Sequence, residues 1–224
     1  MIPQPLHCVL FDLDGTLLDT APDLIACLQE ALQHHGYAPV SEAALRPFIS
    51  FGAQAMIAHS VASTVSTERQ ADILHTMLAL YEVNILRHTA FFAGIERILD
   101  FIEDNNLPWG IVTNKRERFT QPLLTALNLH TRVACVISGD STTNPKPHAE
   151  PMLLACERVG VKPQHCVYIG DAAHDIIAGK QAGMQTLAAL YGYLKVTDKP
   201  ENWGADALIS SPNHLLDWLQ DRLA

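Results

Sequence analysis

The chain lacks long apolar runs, carries few aromatic residues (7%) and is short of positive charge. No apolar stretch approaches the roughly 20 residues a helix needs to cross a bilayer. Residues 1 to 6, MIPQPL, have neither the basic start nor the apolar stretch of a signal peptide. These two absences predict a cytoplasmic protein with no membrane partner. Cysteine is scarce: Cys8, Cys27, Cys135, Cys156 and Cys166 are odd in number and scattered, mostly in apolar segments such as VACVI and LLACERVG. They read as small core residues of a reducing compartment rather than as disulfides or zinc ligands. With 15 Lys and Arg against 24 Asp and Glu, the formal charge is -9. A general nucleic-acid binder needs clustered cations to neutralise phosphates, so that class is disfavoured. One small anionic ligand requires only a local positive site. Histidine is not scarce, yet His34, His35, His59, His75, His88 and His130 show no paired metal-ligand spacing.

Nearly half of the 224 residues are hydrophobic (48%) and 17% are charged. Such a chain buries one substantial core and a second, smaller one. Short runs rich in Val, Ile and Leu recur at 7–11 (HCVLF), 109–113 (WGIVT), 133–137 (VACVI), 166–170 (CVYIG) and 185–190 (QTLAAL). Runs that do not alternate suit strands buried on both faces of a parallel sheet. Between them, FTQPLLTALNL and AEPMLLACERVG carry apolar residues at helical spacing, and Gly160 is placed to cap the second. The expected class is α/β, with a doubly wound, Rossmann-like parallel sheet.

Nearly a hundred residues separate the first run from the second, far more than one crossover helix requires. Segments 22–35, 42–62 and 67–87 each read as a helix, 96–105 as the ordinary helix leading into the second strand, and 212–222 as a closing helix with Pro212 in its first turn. The expected division is a catalytic core of 1–18 and 92–224 with an all-helical cap, 19–91, inserted after the first strand. That position lies over the carboxyl ends of the strands, where ligands bind in open α/β sheets, so the insertion is expected to act as a lid.

Polar residues recur at those strand ends: Asp12 and Asp14 after the first, Thr113 and Asn114 after the second, Gly170, Asp171 and Asp175 after the fourth. Lys146 lies in the loop NPKPHAEP. Carboxylates a few ångströms apart repel, and a hard divalent cation resolves the conflict. Magnesium prefers oxygen ligands and is often held by one or two carboxylates together with substrate phosphate oxygens, so the pattern predicts Mg²⁺ and a phosphate. Thr113, Asn114, Lys146 and the backbone amides near Gly15 are expected to take the remaining phosphate oxygens. If the chain stays extended through Leu13, Asp12 and Asp14 face the same side. One carboxylate then attacks phosphorus while the other handles protons.

In order and spacing, FDLDGTLLDT, IVTNK, KPHAEP and YIGDAAHD resemble the four motifs of the haloacid dehalogenase-like phosphatase superfamily. The resemblance spans essentially the whole chain, including the helical cap. It implies that Asp12 is the nucleophile and Asp14 the general acid and base, and that Thr113 and Lys146 bind the phosphoryl group. It also implies that Asp12, the Asp14 main-chain carbonyl and Asp171 hold Mg²⁺, with Asp175 assisting directly or from behind. The third motif departs from the common K-P-x-P-x-P at Ala149, while Lys146, Pro147 and Pro151 remain. Within the superfamily the chain is most similar to phosphoglycolate phosphatase-like enzymes. LPWGIVTNKRERF, PLLTAL and LAALYGYLKVTDKPENWGAD look still more like a bacterial subgroup that dephosphorylates N-acetylmuramic acid 6-phosphate.

The implied partner is a small phosphorylated metabolite, phosphoglycolate or N-acetylmuramic acid 6-phosphate, handled by a monomer or homodimer in carbohydrate metabolism. A dehalogenase, a phosphomutase and a non-catalytic phosphate-binding module are the competing readings. Lys115, Arg116 and Arg118 are either a basic rim for an acidic substrate or ordinary solvated helix charges. FISFGAQAMI, Phe48 to Ile57, is a candidate specificity element through Ser50 and Gln54, or simply a helix start packed within the cap. His174 reads as a bystander, Trp203 as a core residue, Tyr191 and Tyr193 as pocket edge or core, and Asp19 as the hinge towards the lid.

Overall fold

A computed structural model of the chain describes residues 5–223. Residues 1–4, which begin the expected core and make up most of the amino-terminal stretch read above, lie outside the described residues, as does Ala224. Six parallel strands form one sheet: β1 (Cys8–Phe11), β4 (Trp109–Val112), β5 (Cys135–Ile137), β6 (Cys166–Gly170), β7 (Gln185–Ala189) and β8 (Ala207–Ile209). Their order is β5-β4-β1-β6-β7-β8. The chain winds outwards from β1 through β4 to β5, then returns to β6 on the other flank of β1. A crevice opens at the carboxyl ends where the winding reverses.

The sheet is covered on both faces, which explains why its strands read as continuous apolar runs. Val9 and Phe11 of β1, with Val167 and Ile169 of β6, enter one apolar cluster; Cys8 and Leu10, with Cys166 and Tyr168, enter the opposite one. The first cluster is closed by α5 (Ile95–Asp104), α6 (Glu117–Ala126) and α9 (Pro212–Leu223), the second by α7 (Glu150–Val159) and α8 (Ala173–Gln181). Ile95, Ile98, Leu99 and Ile102 put an unbroken apolar stripe on α5, and all four are fully buried. Gly160 takes the left-handed conformation as the cap of α7, as its sequence position predicts. All five cysteines are buried and free.

A small antiparallel ladder of β2 (Leu18–Asp19) and β3 (Ala90–Phe91) brackets the helical segment. Between these strands run α1 (Ala21–His34), α2 (Glu42–Leu45), a 3₁₀ turn (Arg46–Phe51), α3 (Ala53–Ser60) and α4 (Thr67–Val83). They share an apolar cluster of their own, built from Leu24, Leu28, Ile49, Met56, Met77 and their neighbours. The helix expected over 42–62 is broken into three pieces. Pro47 sits in the first turn of the 3₁₀ segment, and Gly52 takes φ +84°, a conformation a continuing helix cannot contain. Helix α4 stops at Val83, short of the expected residue 87. Strand β8 and the β2–β3 ladder are absent from the sequence expectation. Trp203 is only partly buried and lies outside all three apolar clusters, against its reading as a core residue.

The two chain crossings into and out of the helical segment are tied by one carboxylate. Asp23, in the first turn of α1, accepts the backbone amides of Arg87 (3.0 Å), His88 (3.0 Å) and Thr89 (2.9 Å) and the Thr89 hydroxyl (2.8 Å). Asp23→Ala strands the buried Thr89 donors and the part-buried amides of Arg87 and His88, and is expected to lower the free energy of unfolding by about 2–4 kcal/mol in urea titration. A change below about 1 kcal/mol would show that apolar packing alone holds the crossing.

Candidate active site

Three carboxylates converge at the winding reversal. Asp12 follows β1, while Asp171 follows β6 and Asp175 sits in the first turn of α8. One oxygen from each lies within 4.8 Å of the others, and all three residues are buried. The approach depends on glycine. A Cβ on Gly15, which has φ +90°, would meet Asp171 Oδ2 at 2.3 Å; one on Gly192 would meet Asp171 Cβ at 2.3 Å.

Lys146 supplies the compensating charge. Its ammonium lies 2.8 Å from Asp12 Oδ1, 2.7 Å from Asp175 Oδ1, 2.8 Å from the Tyr168 hydroxyl and 3.0 Å from the Val112 carbonyl. Burial disfavours the ammonium, yet Asp12 and Asp175 together raise the Lys146 pKa above its ordinary value. Burial also disfavours the Asp175 carboxylate, and Lys146 overcomes it and holds that group below the usual range. Asp12 is less compensated: burial drives its pKa to about 7 against the pull of Lys146. Asp171 has no cation partner, so burial, and then the charges of Asp12 and Asp175, push it well above the ordinary carboxylate range. Its Oδ2 accepts from the Tyr193 amide (2.7 Å) and the Ser50 hydroxyl (3.0 Å), whereas its buried Oδ1 has no hydrogen-bond partner. An all-oxygen donor set with excess negative charge and an unclaimed buried carboxylate oxygen fits a hard divalent cation.

The Asp14 carboxylate is not part of this cluster. It turns to the other side of the crevice, where Oδ1 accepts from Lys115 Nζ (2.9 Å) and the Thr20 hydroxyl (2.5 Å). Leu13 between the two aspartates is buried in the core, and both aspartates line the same cavity of about 440 Å³. The chain reaches this arrangement through a turn rather than by remaining extended: the Leu13 carbonyl accepts the amides of Leu17 (3.1 Å) and Leu18 (2.9 Å).

Thr113, Lys146 and Asn114 line the cavity as well. The buried Thr113 hydroxyl accepts from the Lys115 amide (3.2 Å) and, among the described residues, donates to no protein group. Two expected phosphate ligands are otherwise engaged. The Asn114 side chain accepts from the Lys146 amide (3.1 Å) and donates to the Lys146 carbonyl (3.0 Å), so both its ends clamp the lysine loop. The Gly15 amide donates to the Leu18 carbonyl (3.0 Å), and Gly15 packs against Asp171 and Tyr193 rather than lining the cavity. In this structure the first fixes Lys146 and the second lets Asp171 approach.

Lys115 is the residue that sequence reasoning underrated. As a rim or solvated helix charge it should be open to water, but its side chain is 7% exposed and ion-paired with Asp14. Burial opposes its charge, and Asp14 nonetheless raises its pKa. The Tyr81 ring of α4 covers it, with the ammonium 4.7 Å from the ring centroid. Arg116 lines the cavity and is exposed, while Arg118 stacks on Phe119 at 4.5 Å. His174 also lines the cavity, but its Nε2 is 3.8 Å from Asp175 Oδ1, too far for a hydrogen bond, and burial lowers its pKa.

The helical segment forms the opposite wall through Ile49, Ser50, Gln54, Met56, Leu74 and Leu78. Contacts across the junction hold it there. Ser50 reaches Asp171; Arg46 pairs with Asp19; and Tyr193 donates its hydroxyl to Asp19 (2.8 Å) while accepting from the Ala21 amide (3.0 Å). Asp19, on β2, thus ties that strand to Arg46 of the helical segment and to Tyr193 of the sheet side. Tyr193 serves this anchor, and the Tyr191 hydroxyl donates to the Thr16 carbonyl (3.2 Å); neither residue lines the cavity.

Comparison with known proteins agrees with this geometry. A family model described as haloacid dehalogenase-like hydrolase matches residues 9–189. An N-acetylmuramic acid 6-phosphate phosphatase of Pseudomonas aeruginosa is 39% identical over 218 residues, covering 97% of this chain and 96% of that protein. A phosphoglycolate phosphatase of Xanthomonas campestris pv. campestris is 42% identical over 209 residues, covering 93% and 94%. Among solved structures, a predicted phosphoglycolate phosphatase from Haemophilus somnus 129pt shares the fold with a TM-score of 0.86 at 23% identity, over 96% of this chain and 98% of that one.

The acidic cluster makes stability depend on pH and on cations. Asp12 binds its proton more tightly when folded, with a pKa of about 7 against an ordinary 3.8. Its contribution is therefore full below the ordinary value and is lost as pH rises towards the folded one. Thermal unfolding of chelator-treated protein should show Mg²⁺ raising Tm clearly at pH 8 and less at pH 5.5, where protons compete for the same oxygens. No shift at pH 8 would exclude the cluster as a cation site.

Proposed function

The chain belongs to the haloacid dehalogenase-like hydrolase family, and on that footing we propose that it is a Mg²⁺-dependent phosphatase of a small phosphorylated metabolite, working through an aspartyl-phosphate on Asp12. The observation that carries this reading is the buried Asp12 carboxylate facing the cavity, with Lys146 on one oxygen and two further carboxylates beside it.

Asp12 and Asp171, with Asp175 adjoining and the Asp14 main-chain carbonyl, would hold Mg²⁺. When bound, the ion offsets the charge of the phosphoryl oxygens and of the carboxylates around it. An Asp12 oxygen attacks phosphorus, the ester P–O bond breaks, and the departing alcohol oxygen takes a proton from Asp14. Thr113 and Lys146 bind the phosphoryl oxygens through the hydroxyl proton and the ammonium. Asp14, now a carboxylate, removes a proton from the water that attacks the phosphorus of the intermediate, which frees Asp12 and releases phosphate.

Residues 19–91 act in this scheme as a lid on the core formed by 1–18 and 92–224. With the lid closed, water is excluded while Asp12 reacts; with it open, substrate and product exchange. Phosphoglycolate and N-acetylmuramic acid 6-phosphate, named for the relatives above, are the leading substrates. Five free buried cysteines support placement of the enzyme in the reducing cytoplasm.

A module that only binds phosphate has no use for a proton carrier held by Lys115 and Thr20, so turnover is the test. Wild-type protein with Mg²⁺ should hydrolyse phosphoglycolate or the sugar phosphate, chelation should abolish the reaction, and Asp12→Asn should lower kcat by about three powers of ten or more. Near wild-type turnover by Asp12→Asn would overturn the assignment.

A further inference from the structure

The helical segment reaches the acidic cluster through the 3₁₀ turn Arg46–Phe51, and a ring of contacts closes there. From that turn Ser50 donates its hydroxyl to Asp171 Oδ2 (3.0 Å). The same oxygen accepts the Tyr193 amide (2.7 Å), the Tyr193 hydroxyl donates to Asp19 Oδ1 (2.8 Å) on β2, and Asp19 Oδ2 pairs with Arg46, back on the turn. A carboxylate of the cluster, the strand that brackets the helical segment and the turn itself are thus members of one circuit. The loop after β7 holds the turn a second time. Its Lys195 ammonium lies 3.6 Å from the Phe51 ring centroid and 4.7 Å from that of Phe48.

The two oxygens of Asp171 divide the work. Oδ2 carries both protein donors, while the buried Oδ1 has no partner. Donors on one oxygen stabilise the charged carboxylate and fix its rotation, leaving Oδ1 as the open acceptor. Ser50 is the one of these two donors that belongs to the helical segment, so it leaves Asp171 whenever the turn leaves the core. A cation therefore meets a charged, oriented Asp171 with its full set of donors only while the turn is seated. Linkage makes this reciprocal: whatever factor the seated turn adds to cation affinity, the bound cation returns as preference for the seated turn.

We propose that Ser50 is a positioning residue that links occupancy of the cation site to seating of the helical segment, before any substrate arrives. The seated turn tightens the site through Asp171, and an occupied site holds the turn in place. The inference rests on the Mg²⁺-dependent reading above and adds that the ion itself, and not substrate alone, sets the position of the helical segment.

Two measurements without substrate test it. Tm followed over a Mg²⁺ titration of chelator-treated protein gives the affinity of the ion, and backbone hydrogen exchange of residues 45–52 with and without Mg²⁺ reports the seating of the turn. In the wild type, Mg²⁺ should slow exchange across the turn. Ser50→Ala should weaken Mg²⁺ affinity by about tenfold and remove most of that protection even at saturating Mg²⁺, while Ser50→Thr, which keeps a hydroxyl, should restore both. A role in packing alone would lower the Tm of Ser50→Ala at every Mg²⁺ concentration and leave the affinity as it was. Equal affinity in wild type and Ser50→Ala, a loss that Ser50→Thr does not restore, or exchange of the turn indifferent to Mg²⁺ in the wild type overturns the linkage and leaves the phosphatase reading in place. Absence of both Mg²⁺ binding and Mg²⁺-dependent phosphate release by the wild type overturns that reading and the linkage with it.

Discussion

One buried ammonium among three buried carboxylates governs this structure. Removing Asp12, Asp171 and Asp175 from water at mutual oxygen distances under 4.8 Å is unfavourable unless the charge is offset. Lys146 offsets two of them, and the surroundings serve to keep it in place. Asn114 clamps its backbone at both ends, and the Tyr168 hydroxyl and the Val112 carbonyl lie against its ammonium. Strand order then supplies the partners: β6 lies directly beside β1, so residues more than 150 positions apart end in one crevice. The residual imbalance sits on Asp171, whose unpartnered oxygen is the point at which the protein alone does not close its electrostatics.

The second carboxylate of the DxD step has a separate supporting system. Lys115 and Thr20 converge on one Asp14 oxygen, and Tyr81 roofs the lysine from the helical segment. Two aspartates two residues apart therefore live in different surroundings: Asp12 against Lys146 and the acidic cluster, Asp14 against Lys115 and a hydroxyl. Identical side chains acquire unequal electrostatic environments through their neighbours. The helical segment is coupled to both, through Ser50 on Asp171 and Tyr81 over Lys115, so moving it away changes the environment of the acidic cluster and of Asp14 together.

What the sequence disclosed and what it concealed follow from the range of the interactions involved. Five sheet strands were legible because burial on both faces leaves uninterrupted apolar runs. Strand β8 was not, since of its three residues only Ile209 is buried, Leu208 being exposed, and no run marks them. Helical periodicity located α1, α4 and α5, but the stretch 42–62 required weighing Pro47 and Gly52 as breaks. Asp12, Lys146, Asp171 and Asp175 stand at strand ends or in a stiff loop, a pattern that is local. The duties of Lys115 and Asn114 depend on contacts 101 and 32 residues away, and that of Gly15 on a close approach to Asp171, for which spacing offers no signal.

The central claim, that Asp12 carries the phosphoryl group during turnover, is tested most directly by acid-quenched peptide mass spectrometry of protein mixed with substrate and Mg²⁺. The account predicts a transient phosphoryl adduct on Asp12, appearing before phosphate accumulates and absent when the metal is chelated. An adduct on another residue, or steady turnover with no adduct detectable at the earliest quench times, would contradict it.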